Sequence, residues 1–157
     1  STTLLATAGD DQVVRLWHPD TLRPAGELHG HTDSVSAVRT WTHSKDTTLL
    51  VSAGDDRVVR LWHPDTLQSV GELHGHTGTV FAVGTWTRPD GTTLLATAGG
   101  DQVVRLWHPD TLQSVGELHG HTGTVYAVGT WTRPDGTTLL ATAGGDQVVR
   151  LWHPDTL

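Results

Sequence analysis

The stretch HTGTVFAVGTWTRPDGTTLLATAGGDQVVRLWHPDTLQSVGELHG, residues 76–120, determines the fold of this chain. It contains four short runs rich in Val, Leu, Thr and Trp, separated by turn residues such as Pro89-Asp90-Gly91. Runs of this length between turns predict antiparallel strands, and no segment has the periodicity of a helix. The predicted strands, named a to d, cover residues 80–86, 92–98, 103–108 and 113–118.

The same unit recurs along the whole chain with a period of 45 residues, as the spacing of Trp62, Trp107 and Trp152 illustrates. Residues 76–112 and 121–157 differ only where Phe81 is replaced by Tyr126. A fixed period of this length is typical of solenoids, propellers and arrays. Near-identity of the copies indicates recent amplification of one unit or deliberate construction.

Strands b and c carry adjacent apolar residues, for example Leu94-Leu95 and Val103-Val104. A strand that is apolar on both sides is typical of a sheet covered on both faces. Sheets stacked radially around an axis satisfy this requirement, because each one lies between two neighbours.

Composition excludes several classes of function. The chain has 157 residues, a formal net charge of -7 and no cysteine, so neither a disulfide nor a thiolate metal site can form. An acidic chain is a poor ligand for nucleic acid or an anionic membrane, and no apolar run is long enough to span a bilayer. Without a signal-peptide pattern we expect a cytoplasmic location. The absence of Met and the start at Ser1, directly before a strand, suggest an excised or processed piece.

The ordered motifs of one unit resemble a WD repeat. They are Gly-His, a Val-x-x-Val strand, Pro-Asp-Gly, Leu-Ala-Thr-Ala-Gly and Asp-x-Val-Val-Arg-Leu-Trp, and they cover nearly the whole chain. Two features depart from the family pattern. Trp62-His63 stands where the family has Trp-Asp, and the stretch between strands a and b is about two residues longer and contains an extra Trp86.

The resemblance implies an all-β fold of four-stranded antiparallel β-propeller blades. About three and a half repeats are present, and they form an open arc unless other chains or further repeats complete it. The expected units are a partial blade with strands b-c-d at 1–30, blades at 31–75 and 76–120, and a partial blade with strands a-b-c at 121–157. Fourteen strands are therefore predicted.

The resemblance also implies a hydrogen-bonded tetrad in each full blade, built from a His before strand a, a Ser or Thr on strand b, an Asp in the b–c turn and the strand-c Trp. This arrangement is chemically sensible, because a buried Trp N–H needs an acceptor and each stranded polar group would cost about 1–3 kcal/mol. The first partial blade keeps Thr7, Asp11 and Trp17 but has no His. The expected tetrads are His31, Ser52, Asp56 and Trp62; His76, Thr97, Asp101 and Trp107; and His121, Thr142, Asp146 and Trp152.

Three alternative sites deserve comparison with simpler explanations. His31, Ser52 and Asp56 could form a catalytic triad, but a triad is normally unique whereas this set recurs, and we expect no enzyme.

His29 and His31 could bind zinc, yet Gly30 between them marks a turn, and we expect neither a metal nor a cofactor. The strand-c arginines could bind phosphate or an acidic peptide, but net acidity favours solvated positions or ion pairs with strand-d Glu. These pairs would join Arg15, Arg60 and Arg105 to Glu27, Glu72 and Glu117.

Positions that differ between copies are the best guide to a binding face. In WD-repeat proteins the start of strand a and the residue before the tetrad Asp line the top face, where partners dock. Aromatic residues and Arg are common interface anchors, whereas neutral drift of a surface is the simpler alternative. The candidate partner-binding residues are Ser36, Arg39, Asp55, Phe81 and Tyr126.

These features predict a non-catalytic scaffold for proteins or peptides on the top face, and not for nucleic acid or membranes. The alternative is a purely structural or engineered repeat with no selected partner. Self-association through the exposed blade edges is expected in either case. One hypothesis is that strand d at 25–29 completes the final blade of another copy, which gives closed rings with a multiple of three blades. The competing hypothesis is a slice of a longer array.

Overall fold

The computed structural model describes residues 3–42 and 48–153, and within them the chain is all β. Each strand is short and is followed by a tight turn, as the sequence pattern predicts. The fourteen strands of this part of the chain are β1 (Leu5–Thr7), β2 (Val14–His18), β3 (Arg23–Leu28), β4 (Val35–Thr42), β5 (Thr48–Gly54), β6 (Val59–His63), β7 (Gln68–Leu73), β8 (Val80–Thr87), β9 (Thr93–Gly99), β10 (Val104–His108), β11 (Gln113–Leu118), β12 (Val125–Thr132), β13 (Thr138–Gly144) and β14 (Val149–Trp152).

The strands form four separate antiparallel sheets, which we call blades 1 to 4 in chain order. Blade 1 contains β1–β3, blade 2 contains β4–β7, blade 3 contains β8–β11 and blade 4 contains β12–β14. The prediction of all-β propeller blades is confirmed. Within blade 3, strand d has the predicted bounds, strand a extends one residue further, strand b is shifted by one, and strand c begins one residue later.

The hydrophobic core lies between blades rather than inside them. The face of blade 2 directed at blade 3 presents Trp41, Leu61 and Leu73, and these pack against Leu95 and Trp107 of blade 3. We call the face directed at the next blade the forward face and the opposite one the backward face. Every fully covered blade therefore buries both faces, which explains the adjacent apolar residues of strands b and c.

The extra tryptophan of strand a belongs to the forward face. Trp86 is 0% exposed in the core between blades 3 and 4, where its Nε1–H donates to the carbonyl oxygen of Thr138 at 3.0 Å. Trp41 is buried in the same way between blades 2 and 3. Trp86 thus supplies a contact between blades 3 and 4.

Both ends of the arc leave apolar residues open. On the forward face of blade 4, Trp131 is 52% and Leu151 is 54% exposed, whereas Leu61 and Leu106 at the position of Leu151 are buried. On the backward face of blade 1, Leu5 is 53% exposed. No helix in residues 3–42 or 48–153 is long and apolar enough to cross a membrane.

Candidate functional site

The polar cluster of blade 2 begins with the turn between β5 and β6. The amide of Arg57 donates to the Gly54 carbonyl oxygen at 3.1 Å, and Arg57 itself has a positive φ of 65°. Asp56 Oδ1 accepts the Val58 amide at 3.2 Å, which fixes the carboxylate over the turn. The turn therefore holds Asp56 in the direction of the loop that precedes β4.

Four side chains form a continuous relay from this carboxylate into the core. Trp62 Nε1–H donates to Ser52 Oγ at 2.8 Å. Ser52 Oγ lies 2.7 Å from His31 Nε2, and His31 Nδ1 lies 2.8 Å from Asp56 Oδ2. One proton arrangement satisfies every group: Nδ1–H donates to the carboxylate, Nε2 accepts from the Ser52 hydroxyl, and Ser52 accepts from the indole.

Arg60 is a fifth member of this cluster. Its Nη1 lies 2.6 Å from Asp56 Oδ2 and its Nη2 lies 3.2 Å from Glu72. Nη1 is also 3.0 Å from His31 Nδ1, but both nitrogens carry hydrogens, so the two donors converge on the same carboxylate rather than bonding to each other. The sequence left a solvated position and an ion pair with Glu72 open for Arg60, and the contact with Asp56 was not expected. The four-residue spacing across the b–c turn was the available signal.

Burial determines the charge states of the cluster. It lowers the pKa of His31 below 6.5, although the adjacent Asp56 carboxylate acts in the opposite direction. Burial alone would raise the pKa of Asp56, but hydrogen bonds from His31 and from the Thr32 and Val58 amides outweigh it, and the pKa lies below 3.8. In blade 3, burial likewise lowers the pKa of His76. The cluster is thus a neutral imidazole held by a carboxylate that is paired with Arg60.

The same arrangement recurs in the next two blades. His76 Nε2 lies 2.8 Å from Thr97 Oγ1, which accepts Trp107 Nε1–H at 2.8 Å. His121 Nε2 lies 2.8 Å from Thr142 Oγ1, which accepts Trp152 Nε1–H at 2.9 Å. The remaining contacts join the imidazole Nδ1 to Asp101 Oδ2 and to Asp146 Oδ2 at 2.9 Å each.

Blade 1 contains the cluster without its imidazole. Trp17 Nε1–H donates to Thr7 Oγ1 at 2.8 Å, and Arg15 bonds to Asp11 and, at 3.0 Å, to Glu27. No His of the described chain contacts Thr7 or Asp11 through a hydrogen bond. The polar network of blade 1 is therefore open where blades 2, 3 and 4 are complete.

The geometry of the clusters suits bracing rather than nucleophilic chemistry. The Ser52 side chain is fully buried between His31 and Trp62, so its hydroxyl has no open path to a substrate. The other imidazoles of the His-Gly-His pairs point outward: Nε2 of His29 and Nε2 of His74 lie 3.1 and 3.0 Å from the neighbouring glutamates Glu27 and Glu72. Across residues 3–42 and 48–153, no group of three or more His, Cys, Asp or Glu is arranged to hold a metal ion.

A second site lies where the first strands of three blades run side by side. The pairing of β8 with β9 has an irregularity between Val80 and Ala82, so Phe81 is the bulged residue of its strand. Ser36 and Tyr126 occupy the same bulge in β4 and β12. A β-bulge re-aims a side chain away from the sheet's regular alternation. The position that varies most between copies is thus also the one that the backbone singles out.

The bulged residues line a shallow groove, which we call the strand-a groove. Its volume is about 230 Å³, and its walls include Ser36, Arg39, Phe81 and Tyr126. The rings of Phe81 and Tyr126 contact each other with centroids 5.4 Å apart, tilted by 50°. Phe81 is 36% and Tyr126 59% exposed, so the ring pair offers an apolar surface to the groove.

Asp55 lies at the rim of the groove, where Ser36 Oγ donates to its Oδ1 at 3.3 Å. In blade 4 the corresponding residue is Gly145, and a Cβ there would lie 3.6 Å from Tyr126 Cε2. The small Ser36 thus lies beside an Asp side chain at the rim, whereas the large Tyr126 lies beside a glycine. The structure brings four of the five predicted partner-binding residues into the groove and places the fifth, Asp55, against Ser36.

Comparison with known families agrees with the observed repeat. The profile described as WD domain, G-beta repeat, matches residues 22–63, 67–108 and 112–153, together more than half of the chain. Each match begins before the last strand of one blade and ends with the third strand of the next. The sequence repeat is therefore offset by one strand from the structural blade, and each repeat links two neighbouring blades.

Proposed function

The chain belongs to the WD40 repeat family, and on that premise we propose that it is a non-catalytic scaffold that binds a protein or peptide in the strand-a groove. WD40 domains are typically protein-interaction scaffolds. The observation that carries the proposal is the convergence of the residues that vary between copies, Ser36, Phe81 and Tyr126, on one groove. Within residues 31–157 no other position of the repeat carries three different residues, so variation at three neighbouring bulges favours a role outside the framework.

The side chains of the groove suggest the chemistry of its ligand. The ring pair of Phe81 and Tyr126 provides an aromatic anchor for an apolar side chain, and aromatic residues are over-represented in binding hot spots. Arg39 lines the same groove and is exposed, and its guanidinium is suited to a carboxylate. We therefore expect a peptide with an apolar residue close to an Asp or Glu.

We propose no catalytic role because the hydroxyl groups of the polar clusters are buried and already hydrogen-bonded. The hydroxyls of Ser52 and Thr97 are buried and accept indole N–H groups. A hydroxyl in that position acts as a relay between Trp and His. Hydrolytic chemistry at these clusters would require opening the core between two blades.

Selection from a displayed peptide library, followed by affinity measurement on the purified chain, tests the proposal. We expect Phe81→Ser to raise the dissociation constants of the selected peptides by at least about tenfold, because it removes an aromatic anchor. Val115→Ser is the matched control, because Val115 has similar exposure but lies on β11 outside the groove. Equal affinity of the unmodified chain, Phe81→Ser and Val115→Ser for the selected peptides would refute the proposal. So would a selection that enriches no peptide.

A purely structural role is the second candidate. It is favoured by the near-identity of residues 76–112 and 121–157, because a framework under no selection for a partner needs no variation between copies. In that case Phe81→Ser and Tyr126→Ser leave every interaction of the chain unchanged. The same peptide selection distinguishes the two candidates.

A further inference from the structure

The loop between the third and fourth strands of a blade holds a leucine in a backbone conformation that leucine disfavours. The φ angle is 58° at Leu67 in blade 2 and 57° at Leu112 in blade 3. In this left-handed region the Cβ atom comes too close to the following carbonyl oxygen, so glycine is the residue that adopts it readily. The preference of the backbone therefore does not account for a leucine at this point of the loop.

The turn itself imposes the left-handed conformation. The amide of Leu67 donates to the His63 carbonyl oxygen at 2.9 Å, and in blade 1 the amide of Leu22 donates to the His18 carbonyl oxygen at 2.8 Å. Leu22 has a φ of 54° although its side chain is 77% exposed. Since the same backbone forms around an exposed side chain, packing of the leucine is not what sets φ.

In blades 2 and 3 the leucine side chain reaches back to the outermost strand of the preceding blade. Leu112 Cδ1 fills the space that a Cβ on Gly71 of β7 would need. Over Gly26 of β3, the two terminal carbons of Leu67 lie 2.6 and 2.7 Å from the position of such a Cβ. Each of these leucines thus packs into a gap that exists because the residue opposite is glycine.

The contact closes the outer margin of the interface between two blades. In the described chain β7 is an edge strand that is hydrogen-bonded to β6 alone, with Gly71 opposite the buried Leu61. Leu112 packs against the core between blades 2 and 3, to which Trp41 contributes from β4 at the other edge of the same sheet. The leucine therefore holds the edge strand of one blade against the next blade.

We propose that Leu67 with Gly26, and Leu112 with Gly71, form interblade latches that fasten the outermost strand of each blade to the blade that follows. The interface favours the leucine, whereas the backbone of its own loop disfavours it. The two requirements make opposite predictions for glycine at this position. Glycine suits the turn better than leucine does, but it leaves the gap in the preceding blade empty.

Thermal unfolding of the full 157-residue chain with the same substitution in two loops tests the proposal. Leu112→Gly should lower the melting temperature by at least about 3 °C, because the lost packing outweighs the relief of the turn. Leu22→Gly is the matched control and should not lower it, because an exposed side chain is removed from a turn of the same geometry. A Leu112→Gly variant that melts at or above the unmodified chain overturns the proposal, and so do equal losses for the two variants.

A second measurement tests whether the leucine and the glycine act as a pair. Gly71→Ala should lower the melting temperature by about 2–4 °C in the unmodified chain, where the new methyl group meets Leu112. In a Leu112→Ala chain, which keeps a side chain in the turn, the vacated space accepts that methyl group and the loss should disappear.

Gly116→Ala is the control for this pair, because a Cβ there meets nothing within 4 Å. It should have the same small effect in both chains. A Gly71→Ala loss of equal size with and without the Leu112 side chain contradicts the latch.

Discussion

Blades 3 and 4 begin with almost the same strand, yet the tryptophans of the two strands have opposite environments. Trp86 is fully buried against blade 4, whereas the Trp131 side chain is half exposed. The sequences of β8 and β12 differ only at Phe81 and Tyr126, so local sequence does not account for the difference. The forward face of a blade is therefore buried only where the backward face of a neighbouring blade covers it.

The largest effect should come from removing the two tryptophans. We expect Trp86→Ala to lower the free energy of unfolding by about 3–5 kcal/mol, because it leaves a cavity and an unpaired Thr138 carbonyl. Trp131→Ala should cost less than about 1 kcal/mol in the dilute single chain. Urea unfolding monitored by circular dichroism measures both. Equal losses at low concentration would contradict the difference between the blades.

The next effect concerns the arginines of the polar clusters. Arg60→Met should cost about 2–3 kcal/mol, because it removes the cation from the buried Asp56 carboxylate and from Glu72. Arg15→Met is the matched change in blade 1, where Arg15 and Asp11 are partly exposed, and should cost at most about 1 kcal/mol. Chemical denaturation of both variants at low concentration provides the comparison. A larger loss for Arg15→Met than for Arg60→Met would contradict the role of burial in these ion pairs.

A smaller effect is expected from pH, through the complete clusters of the two central blades. The pKa values of His31 and His76 lie below 6.5, so the unfolded chain binds protons near that pH before the folded chain does. The free energy of unfolding should therefore be constant above pH 6.5 and decrease as the pH falls below it. A second decrease is expected below pH 3.8, because the pKa values of Asp56 and Asp101 are lowered as well. Urea denaturation at pH 8 and at pH 5 checks this prediction. A midpoint urea concentration at pH 5 that equals or exceeds the midpoint at pH 8 would oppose it.

The smallest effect distinguishes two glycines on equivalent strands. A Cβ on Gly71 would lie 2.2 Å from Leu112 Cδ1 of the next blade, whereas one on Gly116 meets nothing within 4 Å. Gly71→Ala should cost about 1 kcal/mol, because the flexible end of Leu112 can move. Gly116→Ala should change stability by less than about 0.5 kcal/mol. Thermal unfolding of the two single variants is sufficient, and a greater loss at Gly116 would be inconsistent with the observed stacking.

Much of the fold could be predicted from the sequence because the 45-residue period, the turns and the apolar pairs all indicate the same strands. The strand bounds of blade 3 agree to within one residue. The role of Trp86 could not be predicted, because its acceptor, the Thr138 carbonyl, lies 52 residues away in another blade. The contact of Arg60 with Asp56 was missed because strand pairing pointed to Glu72, and the four-residue spacing across the b–c turn, which was the available signal, was not used.

The groove was predicted only in part. Variation between copies identified Ser36, Phe81 and Tyr126, but the bulge that turns each side chain aside depends on the register of strands a and b. Register follows from how the whole sheet pairs, so repeat comparison alone does not provide it.

Hydrogen exchange of the tryptophan indole N–H groups, followed by NMR over a range of protein concentrations, compares the two tryptophans in solution. We expect Trp131 and Trp86 to occupy the same kind of surface and to differ only in whether a neighbouring blade covers it. We predict slow exchange of the Trp86 indole at every concentration, and exchange of the Trp131 indole that is fast in dilute solution and slow once copies assemble. Fast exchange of Trp131 at every concentration would contradict this expectation.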